Sequence, residues 1–263
     1  MRLATFNILH GSRHHGDEHV DPGLLADAVR ELDADVLALQ EVDHHQERSA
    51  HADLTAVAAA AMGAVDHRFV AALAGSPGTT WTAATGAEHP ETAGYGVALL
   101  SRHPVSAWEV VRLPGAPVPA PWLFHGRRLP HLVRDEPRVA VAAQVELPGG
   151  GTVTVANTHL SFLTYWNRRQ LARLRSALAG VRRPLVLTGD LNMGPGPATR
   201  VSQLGSLASH LTFPADDPAR QIDHVLGDGP VRAVRSEARR LGISDHLALV
   251  VDLEIGSGQP KKT

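Results

Sequence analysis

Eight apolar runs of strand length are spread along the chain, and three stretches with helical spacing lie between them. Short runs rich in Val, Leu and Thr favour buried strands, whereas apolar residues three and four apart favour amphipathic helices. The predicted strands are residues 2–9, 35–42, 96–101, 138–147, 151–160, 184–191, 221–227 and 245–254. The predicted helices are residues 21–32, 52–63 and about 166–179. Strands and helices that are mixed throughout, and joined by both hairpins and crossovers, predict an α+β fold with mixed β-sheets.

A single domain is predicted for residues 1–255, because no linker long enough to divide the chain interrupts these elements. Segment 113–137 contains prolines at positions that forbid a central strand or a regular helix. A long irregular segment inside a compact domain is usually functional or mobile. The polar residues 256–263 predict a disordered tail.

Composition excludes several kinds of site. The 263 residues contain no cysteine, which rules out disulfides, thiolate metal ligands and cysteine nucleophiles. The net charge of −2 is unlike the basic charge of a dedicated nucleic-acid-binding domain. Neither a signal peptide nor an apolar run long enough for a membrane helix is evident, so a cytoplasmic protein is expected, by default a monomer.

Polar residues stand at the ends of the predicted strands, and Asp223 lies inside one, next to otherwise apolar residues. They are Asn7, Glu41, Asn157, His159, Asp190, Asn192, Asp223, Asp245 and His246. Asn157 and His159 are two residues apart, as are Asp190 and Asn192, so each pair is expected on one face of its strand. Each residue alone is more often a turn residue or a satisfied core group. Together, at strand ends of a layered fold, they indicate a functional site.

The donor types at these strand ends favour one chemistry. Asn7, Glu41 and Asp245 supply hard oxygen ligands, which suit Mg²⁺ or Mn²⁺, with Ca²⁺ as an alternative. The remaining histidines, aspartates and asparagines suit the binding of a phosphate and the orientation of a water. Metal-assisted phosphoester hydrolysis uses such a set. A pairing of Asp223 with His246 would raise the pKa of the histidine and keep it protonated as a donor.

Eight motifs that contain these residues occur in a characteristic order. They are TFNILHG, LQEV, YGVALLSRHP, EPRVAV, NTHLS, GDLN, QIDHVL and SDHLALVVDL. In this order the chain resembles the endonuclease/exonuclease/phosphatase superfamily, which includes deoxyribonucleases, apurinic endonucleases, sphingomyelinases and inositol polyphosphate phosphatases. The resemblance covers residues 2–254 and implies a four-layered αββα sandwich, with two mixed β-sheets packed face to face and helices outside.

The resemblance also implies roles for the residues nearest to the metal. Asn7 and Glu41 resemble the metal-site pair, and Asp245 would complete or water-bridge the coordination. Asp190 and Asn192 of GDLN resemble the residues that polarise and place the attacking water. Where apurinic endonucleases carry a second acidic residue, this chain has Leu9, so their metal geometry does not carry over.

A second group of residues is implied on the phosphate side. His159 resembles a phosphate-binding histidine, and His246 a second one, with Asp223 as its orienting carboxylate. Asn157 is expected to donate to the transition state beside them. Arg138 of EPRVAV is either a further cation at the phosphate or a surface ion pair. Whether the general base is the GDLN aspartate or the His–Asp pair stays open.

Substrate selection is expected from residues around this centre. Arg134 lies in segment 113–137 together with further basic residues, Arg127, Arg128 and His131. Trp166, Trp122 and Phe124 would line a pocket or belong to the core. Tyr95 of YGVALLSRHP is another substrate-binding candidate. The arginines of helix 166–179 form either a phosphate-binding face or a solvated one.

These observations predict a divalent-metal-dependent phosphoester hydrolase, a phosphodiesterase or phosphatase. A small or lipid-like phosphoester is the favoured substrate, and no membrane-spanning segment is expected. A DNA or RNA nuclease of the same superfamily is the alternative, disfavoured by the net charge. A catalytically inactive binding protein on this fold ranks below both, because every position that matches a catalytic motif carries a competent residue.

Overall fold

The computed structural model describes residues 1–13, 20–122 and 129–256. The strands are β1 (Arg2–Asn7), β2 (Val36–His44), β3 (Asp66–Gly75), β4 (Trp81–Ala83), β5 (Gly94–Ser101), β6 (Val105–Leu113), β7 (Ala120–Trp122), β8 (His131–Val133), β9 (Arg138–Glu146), β10 (Thr152–His159), β11 (Leu185–Asp190), β12 (Gly205–Ser206), β13 (Asp223–Asp228), β14 (Val231–Arg239) and β15 (Ala248–Ile255). The helices are α1 (Pro22–Leu32), α2 (Leu54–Met62), α3 (Thr164–Ala177) and α4 (Pro195–Ser202).

Two large sheets contain most of the strands. The first has the order β14-β15-β1-β2-β5-β3-β4, and the second has the order β12-β13-β11-β10-β9-β6. Both are mixed, since β1 pairs in parallel with β2, and β10 pairs in parallel with β11, while their other pairs are antiparallel. Strands β7 and β8 form a separate two-stranded ribbon. The predicted fold with two mixed sheets is therefore confirmed.

Three apolar layers hold the sheets and helices together. The middle layer lies between the sheets and contains alternate residues of the central strands, such as Leu3, Val36, Val155 and Val186. The intervening residues of β1 and β2 face α1 and α2 in a second layer. Those of β10 and β11 face α3 and α4 in a third. This arrangement is the αββα sandwich, and it follows from strands that are apolar on both faces.

Besides the short strands β4, β7, β8 and β12, the elements β3, β6, β14 and α4 were not among the predicted ones. In β14, the sequence VRAVRSEAR places polar residues at most positions, and the strand lies at the edge of the first sheet, half-buried or exposed. Strand β6 lies at the edge of the second sheet in the same way. A strand at the edge of a sheet needs only weak apolar patterning, because one of its long edges faces solvent and not another strand. Helix α4 follows Gly194 and begins at Pro195, a start signal in a segment too short for helical periodicity.

Segment 113–137, expected to be irregular, contains the short β7–β8 ribbon. Its two ends are anchored to the body of the protein. Trp166 and Gln170 of α3 donate through their side chains to the carbonyl of Pro114, at 2.8 and 3.1 Å. The buried Asp135 accepts hydrogen bonds from the Ser161 hydroxyl and from a backbone N–H at position 116. Residues 257–263 of the predicted tail 256–263 lie outside the described residues. Within the described parts no helix is long and apolar enough to cross a membrane.

A polar contact links the two sheets below their common rim. Asn157 of β10 is fully buried, and its amide nitrogen donates to the carbonyls of Leu39 and Ala98, both at 2.8 Å. Its amide oxygen accepts from Gln40 at 2.7 Å. Both the nitrogen and the oxygen of the Asn157 amide are therefore hydrogen-bonded to strands of the opposite sheet.

Removal of this link is expected to destabilise the fold. In Asn157→Ala, two carbonyls and one side-chain amide lose a buried partner, each at a cost of about 1 kcal/mol or more, so the free energy of unfolding should fall by about 3 kcal/mol. Urea denaturation measures this change. Gln144→Ala is the control, because Gln144 is half-buried and makes only a 3.4 Å hydrogen bond to Thr152. Equal losses in both variants would contradict the prediction.

Candidate active site

Three polar residues form one row across the second sheet. His159 at the end of β10 lies opposite Asp190 at the end of β11, and Asp190 lies opposite Asp223 at the start of β13. Residues in register across neighbouring strands point to the same face. This face is the interior one, because the residues two positions earlier, Asn157 and Thr188, also lie between the sheets. The sandwich is thus apolar in its middle and polar at this rim.

The first sheet contributes Glu41 to the same rim through an irregularity in β2. Between Gln40 and Val42 the pairing with β5 shifts by one residue, and Glu41 has a φ of +56°. A bulge of this kind turns a side chain that would otherwise face the helices. The side chains of Gln40 and Glu41 therefore both point between the sheets, towards the rim. A positive φ is costly for a residue with a side chain, and such strain concentrates at functional sites.

Asn7, at the end of β1, connects carboxylates of both sheets. Its amide nitrogen donates to Glu41 at 3.0 Å and to Asp190 at 3.2 Å. Its amide oxygen accepts from the backbone N–H of Leu9 at 3.1 Å, which fixes the orientation of the group. In this orientation Asn7 presents its nitrogen and not its oxygen to the rim. In this arrangement Asn7 positions the two carboxylates, and its role as a metal ligand stays a prediction.

Asp245 and His246 precede the last strand, which begins at Ala248 and not at Asp245 as predicted. The turn is held by Ser244, which has a φ of +74°. Its hydroxyl donates to the carbonyl of Asn7 at 2.6 Å and accepts from the backbone N–H of His246 at 3.0 Å. Because the backbone turns here, neighbouring side chains reach the same site. His246 Nε2 lies 4.0 Å from Asp245 Oδ1.

His246 contacts two aspartates of the row on the second sheet. Its Nδ1 lies 2.9 Å from Asp223 Oδ2, and its Nε2 lies 3.8 Å from Asp190 Oδ2. Burial alone would lower the pKa of His246, but the charge and hydrogen bond of Asp223, with the charge of Asp190, raise it to about 10. His246 is therefore a cation at neutral pH, as the expected Asp223–His246 pair required.

Asp190 lies at the centre of the cluster and is buried. Burial and the neighbouring charge of Asp223 raise its pKa, against the opposing effects of His246 and Asn7. Ligand atoms of Asp190, Asp223 and His246 all lie within 4.8 Å of one another, a grouping that could hold a metal ion. The site thus concentrates negative charge beyond what its own cation offsets, and a divalent cation fits such a set.

His159 is the second histidine of the site, and its state differs from that of His246. Arg138 NH1 lies 3.5 Å from its Nδ1, and Arg138 NH2 lies 3.5 Å from Glu136. Burial and the charge of Arg138 hold the pKa of His159 well below its usual range. The neutral imidazole offers one donor and one acceptor nitrogen to its neighbours. Nε2 faces Asp190 at 3.5 Å.

The GDLN loop fixes Asn192 beside these groups. Its amide nitrogen lies 3.2 Å from His159 Nε2 and 3.0 Å from the carbonyl of Leu160. Its backbone N–H donates to Asp190 at 2.9 Å. Gly189 precedes with a φ of +131°, where a Cβ would lie 1.9 Å from a carbonyl oxygen of β10. No other residue fits that position, which explains the glycine of the motif.

Of the predicted site residues, Asn157 is not positioned for the role expected of it. Both hydrogens of its amide are donated to carbonyls inside the sandwich, so none remains for a substrate. Tyr95 is buried near the rim, where burial and the charges of Glu41 and Glu136 raise its pKa well above the ordinary value. Tyr95 is therefore a neutral phenol close to the site.

The residues predicted for substrate selection are spread more widely. Trp166 holds Pro114 through its ring N–H, which is a structural contact. Arg134 is exposed, with its guanidinium 4.7 Å from the centroid of the Trp81 ring. Phe124, Arg127 and Arg128 lie outside the described residues. Among the α3 arginines, Arg169 lies over the rings of Tyr165 and Trp166, and Arg175 donates to a carbonyl of α4.

Sequence reasoning missed Gln40 and Glu136, which support the site from below and from the side. Gln40 donates to Asn157 and to Thr5, and so continues the polar link between the sheets. Glu136 holds Arg138. The signal available in the sequence was position: Gln40 directly precedes Glu41, and Glu136 lies two residues before Arg138.

Comparison with known proteins decides the family. The model of the Endonuclease/Exonuclease/phosphatase family matches residues 4–246. The chain belongs to the endonuclease/exonuclease/phosphatase family. Curated proteins give no match to the chain.

Solved structures share the endonuclease/exonuclease/phosphatase fold with the chain. A family member from Beutenbergia cavernae DSM 12333 is 25% identical, with a TM-score of 0.71 over 97% of this chain and 72% of that one. A mannosyl-6-phosphatase from Bacteroides thetaiotaomicron VPI-5482 is 16% identical, with a TM-score of 0.65 over 97% and 100%. The catalytic domain of human Nocturnin is 18% identical, with a TM-score of 0.62 over 97% and 94%. The predicted family is confirmed, and the chain has its phosphoesterase fold.

Proposed function

We propose that this protein is a divalent-metal-dependent hydrolase of small phosphoesters. The observation that carries the proposal is the convergence of Asp190, His159 and His246 at the polar rim between the sheets. A carboxylate with a neutral histidine and a cationic histidine each within 4 Å of it suits the hydrolysis of a phosphoester. Nocturnin and a mannosyl-6-phosphatase share the fold, which is compatible with a phosphatase.

The proposed metal ligands are Glu41 and Asp245, with Asp190 beside them. Asn7 holds Glu41 and Asp190 at fixed positions through its amide nitrogen. Oxygen donors of this type suit Mg²⁺, Mn²⁺ or Ca²⁺. A bound divalent cation would offset the carboxylate charge and polarise the phosphate. The alternative set is Asp190, Asp223 and His246, whose ligand atoms lie within 4.8 Å of one another.

The chain's own residues divide the remaining tasks. His246, cationic beside Asp223, donates from Nε2 to a phosphate oxygen. His159 and Asn192 face the same space from the other side, and Arg138 adds positive charge behind His159. Asp190 accepts a proton from the attacking water, a role that a carboxylate of raised pKa performs well near neutral pH. In this scheme the base is the aspartate of GDLN, and the His–Asp pair stabilises charge.

A panel of phosphoesters with added Mg²⁺ or Mn²⁺ tests the proposal. Release of inorganic phosphate from alkyl monoesters, or of nitrophenol from bis(p-nitrophenyl) phosphate, is expected. The panel also distinguishes monoester from diester activity and includes supercoiled plasmid and a phospholipid. Nicking of plasmid at physiological salt without cleavage of any small ester would make the nuclease alternative the better account. No turnover of any ester would refute the proposal.

Asp223→Asn should lower the rate of hydrolysis without abolishing it. The amide keeps the shape of the side chain but removes the charge that holds His246 protonated, so kcat should fall about 100-fold. Phosphate release measures the loss. Asp252→Asn serves as the control, since Asp252 pairs with Arg2 far from the rim. An unchanged kcat in Asp223→Asn would mean that His246 does not act as a cation.

A further inference from the structure

A cavity adjoins the proposed catalytic rim at the ends of β4 and β8. It has a volume of about 880 Å³ and is lined by Thr79, Thr80, Trp81, His131, Arg134 and Glu136. Ligand sites in proteins have volumes of about 300 to 1,000 Å³. The cavity is therefore large enough for an organic group of moderate size.

Glu136 connects this cavity with the catalytic residues. Its carboxylate lines the cavity and lies 3.5 Å from Arg138 NH2. The same guanidinium reaches His159 through NH1, also at 3.5 Å. The Arg138 side chain therefore links the cavity wall to His159. A group esterified to a phosphate at His159 would extend along Arg138 towards Glu136.

The wall of the cavity is held in place by buried contacts. Between Arg134 and Glu136, the buried Asp135 accepts from the Ser161 hydroxyl at 2.6 Å. On the opposite wall, Trp81 belongs to β4, which pairs with the end of β3. Gln46 fixes that end of β3 by donating to the carbonyl of Gly75 at 2.7 Å. Both walls are thus anchored, as recognition of a rigid ligand requires.

The lining chemistry selects against two kinds of ligand. An alkyl chain would contact Leu132 and Val133, which also line the cavity, but would cover Glu136, Arg134 and the threonines without offering them hydrogen-bond partners. A second phosphate would be repelled by Glu136, which can only accept hydrogen bonds. A hydroxyl-rich ring satisfies both conditions, since its hydroxyls donate to Glu136 and accept from Arg134. Its apolar face can contact Leu132 and Val133, next to the Trp81 ring over which the Arg134 guanidinium lies at 4.7 Å.

We propose that this cavity binds the sugar or polyol moiety of the substrate, so that the enzyme acts on a monosaccharide phosphate. The inference rests on the proposed function, because it places the phosphate of that substrate at the catalytic rim. Trp81, Arg134 and Glu136 are its specificity determinants. A nucleotide would use the same Trp81 ring but would need partners for the edges of its base, and is tested as a competing outcome.

Kinetic selectivity tests the proposal with esters of matched reactivity. Glucose 6-phosphate, octyl phosphate and methyl phosphate are all primary alkyl monoesters, so their differences in kcat/KM report recognition of the alcohol. The wild-type protein should prefer glucose 6-phosphate over the other two by at least tenfold. Trp81→Ala and Arg134→Ala should each reduce that preference about tenfold. Arg68→Ala is the matched control, because Arg68 lies over another tryptophan, Trp108, at 5.1 Å, and should keep the full preference.

Binding measured without turnover separates this inference from the proposed function. Glucose 6-phosphate with Mg²⁺ should quench the tryptophan fluorescence of the wild-type protein, and Trp81→Phe should remove the quench. If the quench depends on Trp81 but no ester is hydrolysed, the binding cavity stands and the proposed function fails. If methyl phosphate is hydrolysed without a quench or a preference for the sugar ester, the cavity assignment fails. Stronger preference for octyl phosphate or AMP than for glucose 6-phosphate also overturns it.

Discussion

Asp190→Asn should lower kcat/KM at least about 1,000-fold while the protein stays folded. Asp190 is proposed as the general base, a contribution of about 100- to 10,000-fold in enzymes. It also contacts three further groups of the site, namely Asn7, His159 and His246. An amide cannot take the proton from the attacking water, so the general base is lost. Phosphate release from the best ester of the panel measures the loss.

The stability of Asp190→Asn provides an independent check. Burial and the charge of Asp223 raise the pKa of Asp190 in the folded protein above its unfolded value. A carboxyl with a raised folded pKa is destabilising when ionised, so its cost appears as the pH rises above the unfolded pKa. Asparagine removes that cost, and the Tm at pH 8 without added metal should be equal to or above that of the wild type. Stability lost together with activity would indicate a structural role for Asp190.

Asp228→Asn is the matched control for this experiment. Asp228 ends β13, the strand that begins with Asp223, and pairs with Arg183 at 2.8 Å on the surface. It is half-exposed and lies at the opposite end of the sheet from Asp190. The control should keep full activity. A loss of activity in Asp228→Asn would show that an Asp→Asn change anywhere in the sheet disturbs the site.

The layers of the fold could be predicted from the sequence because the strands are apolar on both faces. Such strands must be covered on both sides, and the helical stretches between them supply the outer covers. Strands β6 and β14 could not be predicted in this way, since solvent on one side relaxes their apolar patterning. Their positions depend on pairing with β9 and β15, which is a long-range property.

The candidate site was predictable as a set of residues but not as an arrangement. The position of His159 and Asp190 at strand ends is visible in the sequence, whereas Asp223 was expected inside its strand and begins it. Their common row depends on the register of three strands, which no local pattern specifies. Glu41 reaches the rim only through a bulge, and the sequence LQEV contains neither glycine nor proline to mark one.

Asn157 shows where pattern reasoning assigned a plausible residue to the wrong task. Spacing placed it correctly on the same face as His159. One pleat deeper in the sandwich, however, the polar group meets the other sheet instead of solvent, and it pairs with Gln40. A buried amide must find partners, and the facing carbonyls supplied them. Depth along the strand, which depends on how the sheets overlap, decided its role.

Chelation of divalent cations is expected to abolish hydrolysis, and Mg²⁺ or Mn²⁺ to restore it. The physical reason is the charge at the rim: Glu41, Asp190, Asp223 and Asp245 are offset within the cluster chiefly by His246. A phosphate entering this site carries further negative charge and would be repelled. EDTA should therefore remove activity completely, and titration with Mg²⁺ should restore it with saturation.

Thermal stability gives the same prediction a readout that does not depend on turnover. A cation that binds only the folded protein stabilises it by about 2.7 kcal/mol at 100 times its Kd, which for a chain of this size raises the Tm by about 5 °C or more. Glu41→Gln should lose most of that Mg²⁺-dependent shift, since Glu41 is a proposed ligand. Glu146→Gln, an exposed position at the end of β9, should retain it. A shift of the same size in both variants would place the cation elsewhere, and the grouping of Asp190, Asp223 and His246 would then be the site to test.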